Sequence, residues 1–134
     1  DQPAFEELVK KAIFLLEKLG LTFRVSKLAA EDISASMART YDIEIFIPSI
    51  GIYKEVSSVS TAHDYQARRG MIRYREKATG KTKYARTLNG SGLATSRVFP
   101  ALVEQMQQPD GSVKIPEVLR PWMGGLEYIK PIKK

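Results

Sequence analysis

The segment Tyr41-Asp-Ile-Glu-Ile-Phe-Ile47 constrains the fold more than any other part of the chain. Tyr41, Ile43, Ile45 and Ile47 share one face, and Asp42, Glu44 and Phe46 share the other. Strict alternation over this length specifies a strand with one apolar side. Pro48-Ser-Ile-Gly51 is a turn signal, and Tyr53-Lys-Glu-Val-Ser-Ser-Val-Ser60 reads as the next strand. Two consecutive strands joined by a short turn predict an antiparallel pair. Its apolar face has to be buried against another layer. At 134 residues the chain is long enough for one such core.

A helix is available as that layer. Phe5, Leu8, Val9, Ala12, Ile13, Leu16 and Leu19 recur at three- and four-residue spacing. Asp1 is a candidate cap, Pro3 fits the first turn and Gly20 is a natural stop. Leu21–Val25 alternates like a strand, and 29–37 reads as a loop or short helix. A second, arginine-rich helix is predicted over 62–71. Residues 71–75 and 82–88 read as a hairpin. Asn89-Gly-Ser-Gly92 breaks that pattern, and a third helix is predicted up to Met106. Pro116 opens a short helix that Pro121 closes, with Trp122 and Met123 as a packing anchor. Together these predict a single α+β unit, an antiparallel sheet flanked by helices, without internal repeats.

Composition narrows the chemistry. The chain has no cysteine and one histidine, His63. Disulfides, thiolate nucleophiles and multi-histidine metal sites are excluded, so any metal is expected to be a hard cation held by oxygens. No apolar run approaches the ~20 residues of a membrane helix, and no membrane partner is expected. The formal net charge is +6 with a pI near 9.6, which permits a polyanionic partner. The basic stretch from Gln66 to Arg75 is expected to be a solvated face with ion pairs to Asp64 or Glu76.

Two segments carry candidate chemistry. The strand Tyr53–Ser60 places a carboxylate and hydroxyls where branched apolar residues are usual. It is either a solvent-washed face or a hard-cation site built on Glu55 and a serine hydroxyl. Glu55 and Ser58 point to opposite faces of an ideal strand, so they share an ion only if a bulge re-aims one of them. The second segment, Thr87-Leu-Asn-Gly-Ser-Gly-Leu-Ala-Thr-Ser-Arg97, runs from a strand through a glycine-flanked turn into a helix bearing an arginine. That layout suits a phosphate or carboxylate, and equally a turn with a solvated arginine.

Several blocks in one order resemble the C-terminal part of the catalytic domain of seryl-tRNA synthetases. They are Tyr41-Asp-Ile-Glu44, Tyr53–Ser60, Gln66-Ala-Arg-Arg69, Thr87–Ala94 with Arg97, Asp110-Gly-Ser-Val113, Pro116–Pro121 and Met123-Gly-Gly125. The resemblance implies a class II aminoacyl-tRNA synthetase. Such an enzyme takes serine, ATP and magnesium to seryl adenylate, then passes the seryl group to tRNA(Ser). Carried over by position, Glu55 and Ser58 are the magnesium and ATP contacts, and Val56 and Ser57 line the nucleotide. Asn89 and Ser91 are the serine-binding positions. Arg97 is the catalytic, ATP-binding arginine of the family's third motif. The resemblance further implies a cytoplasmic homodimer for the intact enzyme.

The chain also departs from the family pattern. Family members usually carry cysteine or alanine where Val59 stands, and Pro100 is expected to bend the helix beyond Arg97. The N-terminal coiled coil and the first two catalytic motifs are missing. Residues 1–134 therefore read as an incomplete catalytic domain, and the isolated fragment is expected to be inactive. Two alternatives use the same residues. One is a non-catalytic paralogue serving as a binding or scaffold module; the other is a small RNA-binding domain.

Overall fold

The computed structural model describes residues 2–132. Helix α1 spans Gln2–Leu19, α2 Tyr65–Arg69 and α3 Thr95–Met106. The strands are β1 Phe23–Lys27, β2 Arg39–Ile47, β3 Ile52–His63, β4 Arg73–Arg75, β5 Thr82–Tyr84, β6 Thr87–Gly90, β7 Val113–Lys114 and β8 Tyr128–Ile129. Short 3-10 turns cover Ala30–Asp32 and Glu117–Met123. The main sheet has the order β1-β2-β3-β6, and every neighbouring pair is antiparallel. β4–β5 and β7–β8 form separate two-stranded sheets.

The alternation in β2 decides which side of the sheet is covered. Ile43 and Ile45 are fully buried and join Phe5, Leu16, Leu21, Val56, Val59, Val98 and Ala101 in one core. Helices α1 and α3 pack against β2 and β3 to close that core. Phe5 stacks on Tyr41 with ring centroids 5.7 Å apart. Close approach of β6 to α1 explains Gly90: a Cβ there would stand 3.2 Å from Leu8 Cδ2. The opposite face carries Arg24, Asp42, Glu44, Glu55 and Ser58, and residues of the 28–37 loop border it.

Helix α3 is pinned at both ends. Ala94 N–H donates to the Val56 carbonyl at 2.8 Å. At the far end Gln105 Nε2 donates to the Phe46 carbonyl at 2.8 Å, and Glu104 accepts from Ser49 N–H at 2.9 Å and Ser49 Oγ at 2.8 Å. The helix runs without a break through Pro100, so Arg97 stays in its first turn.

Three sequence expectations need adjustment, and a fourth lies outside the described residues. The predicted helix over 62–71 is shorter, because β3 continues to His63 by pairing with β6. The predicted second hairpin strand divides: β5 ends at Tyr84, and the chain rejoins the main sheet as β6 from Thr87. Trp122 is 85% exposed and anchors nothing among the described residues. The cap proposed at Asp1 lies outside the described residues.

Candidate functional site

The register of β2 on β3 contains one irregularity, and it builds the site. Ile43 pairs with Ser57 while Glu44 pairs with Glu55, so Val56 is the extra residue of a β-bulge. Val56 and Ser57 are both buried. Glu55 and Ser58, on either side of them, line the same recess on the open face. The bulge that a shared ion requires is therefore present. The side chains of Val56 and Ser57 are turned away from that recess into the covered layer.

The bulge also docks the glycine-flanked turn. Ser57 Oγ donates to the Ser91 carbonyl at 2.6 Å, beside the Ala94–Val56 bond. From α3, Arg97 Nη1 donates to the Glu55 carbonyl at 2.8 Å and stands 3.9 Å from Glu55 Oε1. The arginine is thereby held against the carboxylate by a backbone contact. Both side chains remain about half exposed, which leaves the remaining guanidinium donors for a ligand.

The recess has a volume of about 480 Å³ and is lined by Thr40, Asp42, Glu55, Ser58, Ser60 and Asn89 together with Leu28, Asp32, Ser34 and Met37 of the preceding loop. Glu55, Ser58 and Asn89 are thus brought together, with Arg97 at the Glu55 end. Ser91 is not among the recess residues; it lines a second crevice beside Leu8, Lys11 and Leu15 of α1. An apolar groove of about 450 Å³ between α1 and α3 holds none of the candidate residues.

The donor chemistry suits a hard cation. Glu55 and Ser58 offer oxygens only, which fits magnesium. Among the described residues no cluster of three or more His, Cys, Asp or Glu side chains could hold a metal unaided. Such a cation would complete its shell with ligand oxygens and water, as magnesium usually does.

Sequence reasoning missed Asp42, Thr40 and Ser60. Asp42 lies opposite Ser58 in the register, and its Oδ1 is buried with no hydrogen-bond partner. Thr40 and Ser60 are buried and joined through their hydroxyls at 2.8 Å. The available signal was the polar half of the β2 alternation, which sets Thr40 and Asp42 opposite the hydroxyls of Ser60 and Ser58.

Comparison with known proteins identifies the family. A family model for the tRNA synthetase class II core domain (G, H, P, S and T) matches residues 2–106. The chain belongs to that family. It is 64% identical over 121 residues to serine–tRNA ligase 2 of Clostridium acetobutylicum, a match over 90% of this chain and 28% of that protein. Its fold superposes on seryl-tRNA synthetase from Pyrococcus horikoshii complexed with ATP with a TM-score of 0.91. Identity there is 36%, over 98% of this chain and 29% of the other. The cytoplasmic serine-tRNA ligase from Naegleria fowleri in complex with AMP gives a TM-score of 0.88 and 31% identity, covering 98% of this chain and 31% of the other. This class II core segment therefore spans less than a third of the length of its relatives.

Proposed function

We propose that this chain supplies one part of the active site of a serine–tRNA ligase. The observation that carries the proposal is the bulge at Val56, which sets Glu55 and Ser58 on one face and anchors Arg97 beside them. Two relatives of the same fold, solved with ATP and AMP, support a nucleotide as the ligand.

The reaction is attack by the serine carboxylate on the α-phosphorus of ATP. A carboxylate oxygen–phosphorus bond forms, the bond to the bridging oxygen of the β-phosphate breaks, and pyrophosphate leaves. Two anions must approach, and negative charge grows on the phosphate oxygens. Positioning and fixed positive charge therefore matter more than a protein nucleophile. This fits a chain without cysteine and with one histidine. Arg97 presents its guanidinium fork to the phosphates, held in orientation by the Glu55 carbonyl. Magnesium, when bound, neutralises phosphate charge, and Glu55 and Ser58 are the residues that would hold it. Asn89 is assigned to serine from the recess; Ser91, which lines the crevice against α1, is assigned to serine by the family resemblance alone. A hydroxyl of the tRNA terminal adenosine then attacks the seryl carbonyl, and AMP leaves. The intact enzyme is assigned as a cytoplasmic homodimer acting on tRNA(Ser).

The binding-module alternative is less well supported. It gives no role to an arginine held 3.9 Å from a carboxylate at the mouth of a polar recess. The decisive test is ATP–pyrophosphate exchange by the full-length protein with serine, threonine, alanine and glycine in turn. Serine alone is expected to support exchange. A site that pairs with a substrate hydroxyl rejects analogues lacking it by about 10⁴-fold or more. Exchange driven equally by alanine would refute the serine assignment.

A further inference from the structure

The positive charge of this protein is concentrated in one place. Between Asp64 and Arg86 the chain carries eight lysines and arginines against two acids. That surplus of six equals the net charge of the whole chain, so the remainder is balanced. The segment is the excursion between β3 and β6: helix α2 followed by the β4–β5 hairpin. It is a fixed body. Ile72 N–H donates to the Ala67 carbonyl at 2.8 Å, Ala85 N–H to the Ile72 carbonyl at 3.0 Å, and Thr87 Oγ1 to Gln66 Oε1 at 2.7 Å.

The expected ion pairs form but leave most of the charge unmatched. Arg68 meets Asp64 at 2.8 Å and Lys83 meets Glu76 at 2.6 Å. Among the described residues Arg69, Arg73, Arg75, Lys77 and Lys81 make no ion pair, and all five are exposed. Like charges crowded on one surface repel one another, so this arrangement favours a polyanion. Tyrosines interleave with the cations. Arg69 lies 3.8 Å from the Tyr65 ring centroid, and Arg68 and Arg73 lie 4.8 and 5.9 Å from that of Tyr84. Tyr65 keeps 37% of its surface exposed, whereas Tyr74 lies on the hairpin face opposite Arg73 and Arg75. Exposed rings beside arginines suit unpaired nucleobases as well as phosphates, which favours RNA over a lipid surface.

We propose that α2 and the β4–β5 hairpin form an RNA-docking surface, with Arg69, Arg73, Arg75, Lys77 and Lys81 set against backbone phosphates and Tyr65 offered to an unpaired base. Only the naming of the RNA as the tRNA substrate rests on the ligase reading; the surface itself follows from its charge and rings.

The test uses the 134-residue chain and a fluorescein-labelled RNA hairpin with a single-stranded 3′ end, titrated by anisotropy from about 50 to about 200 mM KCl. Binding is expected to weaken linearly in log–log form. R73E/R75E is expected to cost at least about tenfold in affinity and to flatten the salt slope by about two, while R73K/R75K stays close to the parent. K10E/K114E makes the same charge change elsewhere and is expected to have little effect, with circular dichroism confirming that every variant is folded. Absence of RNA binding at the lowest salt overturns the proposal, as does an equal loss in K10E/K114E. Tighter binding to phosphatidylserine vesicles than to RNA overturns it in favour of a membrane. In the full-length protein R73E/R75E should leave serine-dependent pyrophosphate exchange intact, since that step needs no RNA. Failure of the ligase reading would instead remove the exchange and leave RNA binding in place.

Discussion

Replacing Arg97 with alanine in the full-length protein is expected to lower serine-dependent pyrophosphate exchange by about 10²–10³-fold, the usual effect of removing one fixed donor to developing charge. The guanidinium is about half exposed and packs in no core, so the fold should survive. The loss should fall mainly on kcat, because charge on the phosphate oxygens is greatest in the transition state. Arg97→Lys should recover little of it. A lysine keeps the charge but not the planar fork, and so cannot grip the Glu55 carbonyl and a phosphate together as the guanidinium does. Steady-state exchange kinetics with ATP and serine varied separately would show this. A variant with unchanged kcat would remove Arg97 from the reaction.

Phe5→Ala is expected to have the largest effect on stability, about 3–5 kcal/mol. Phe5 is 1% exposed and stacks on Tyr41, and the Arg39 guanidinium lies over both rings. It is one of three α1 residues buried against the sheet, with Ala12 and Leu16. Truncating it leaves a cavity at the helix–sheet junction that β2, with its paired neighbours, cannot collapse to fill. Small domains are stable by only about 5–15 kcal/mol, so the denaturant midpoint should fall markedly. Phe99→Ala is the control: that ring is 68% exposed, and its loss should stay within about 0.5 kcal/mol.

Local pattern carried much of this structure. The alternation of Tyr41–Ile47 located β2 and its buried face, and the Pro48–Gly51 turn located the hairpin. The 3.6-residue period of α1 located the cover. What local pattern could not supply was pairing at a distance. Ala62 and His63 read as the start of a helix, yet pairing with β6 draws them into β3. Tyr84 and Leu88 read as one strand, although two different sheets claim the two ends. The bulge at Val56 is a property of register between two strands, so the sequence indicated only that Glu55 and Ser58 needed one. The family resemblance supplied the identities of the candidate residues; the bulge is the reason Glu55 and Ser58 share one face.

The claim that the bulge makes Glu55 and Ser58 act on one ligand is tested most directly by a double-mutant cycle on the magnesium-dependent use of ATP. Glu55→Gln, Ser58→Ala and the double variant would be compared in the full-length protein by pyrophosphate exchange at varied MgATP. Residues that meet one cation should couple, so the double variant should be less impaired than the two single effects combined, by about 0.5–3 kcal/mol in the cycle. Strictly additive effects, or a MgATP dependence untouched by Glu55→Gln, would contradict the account.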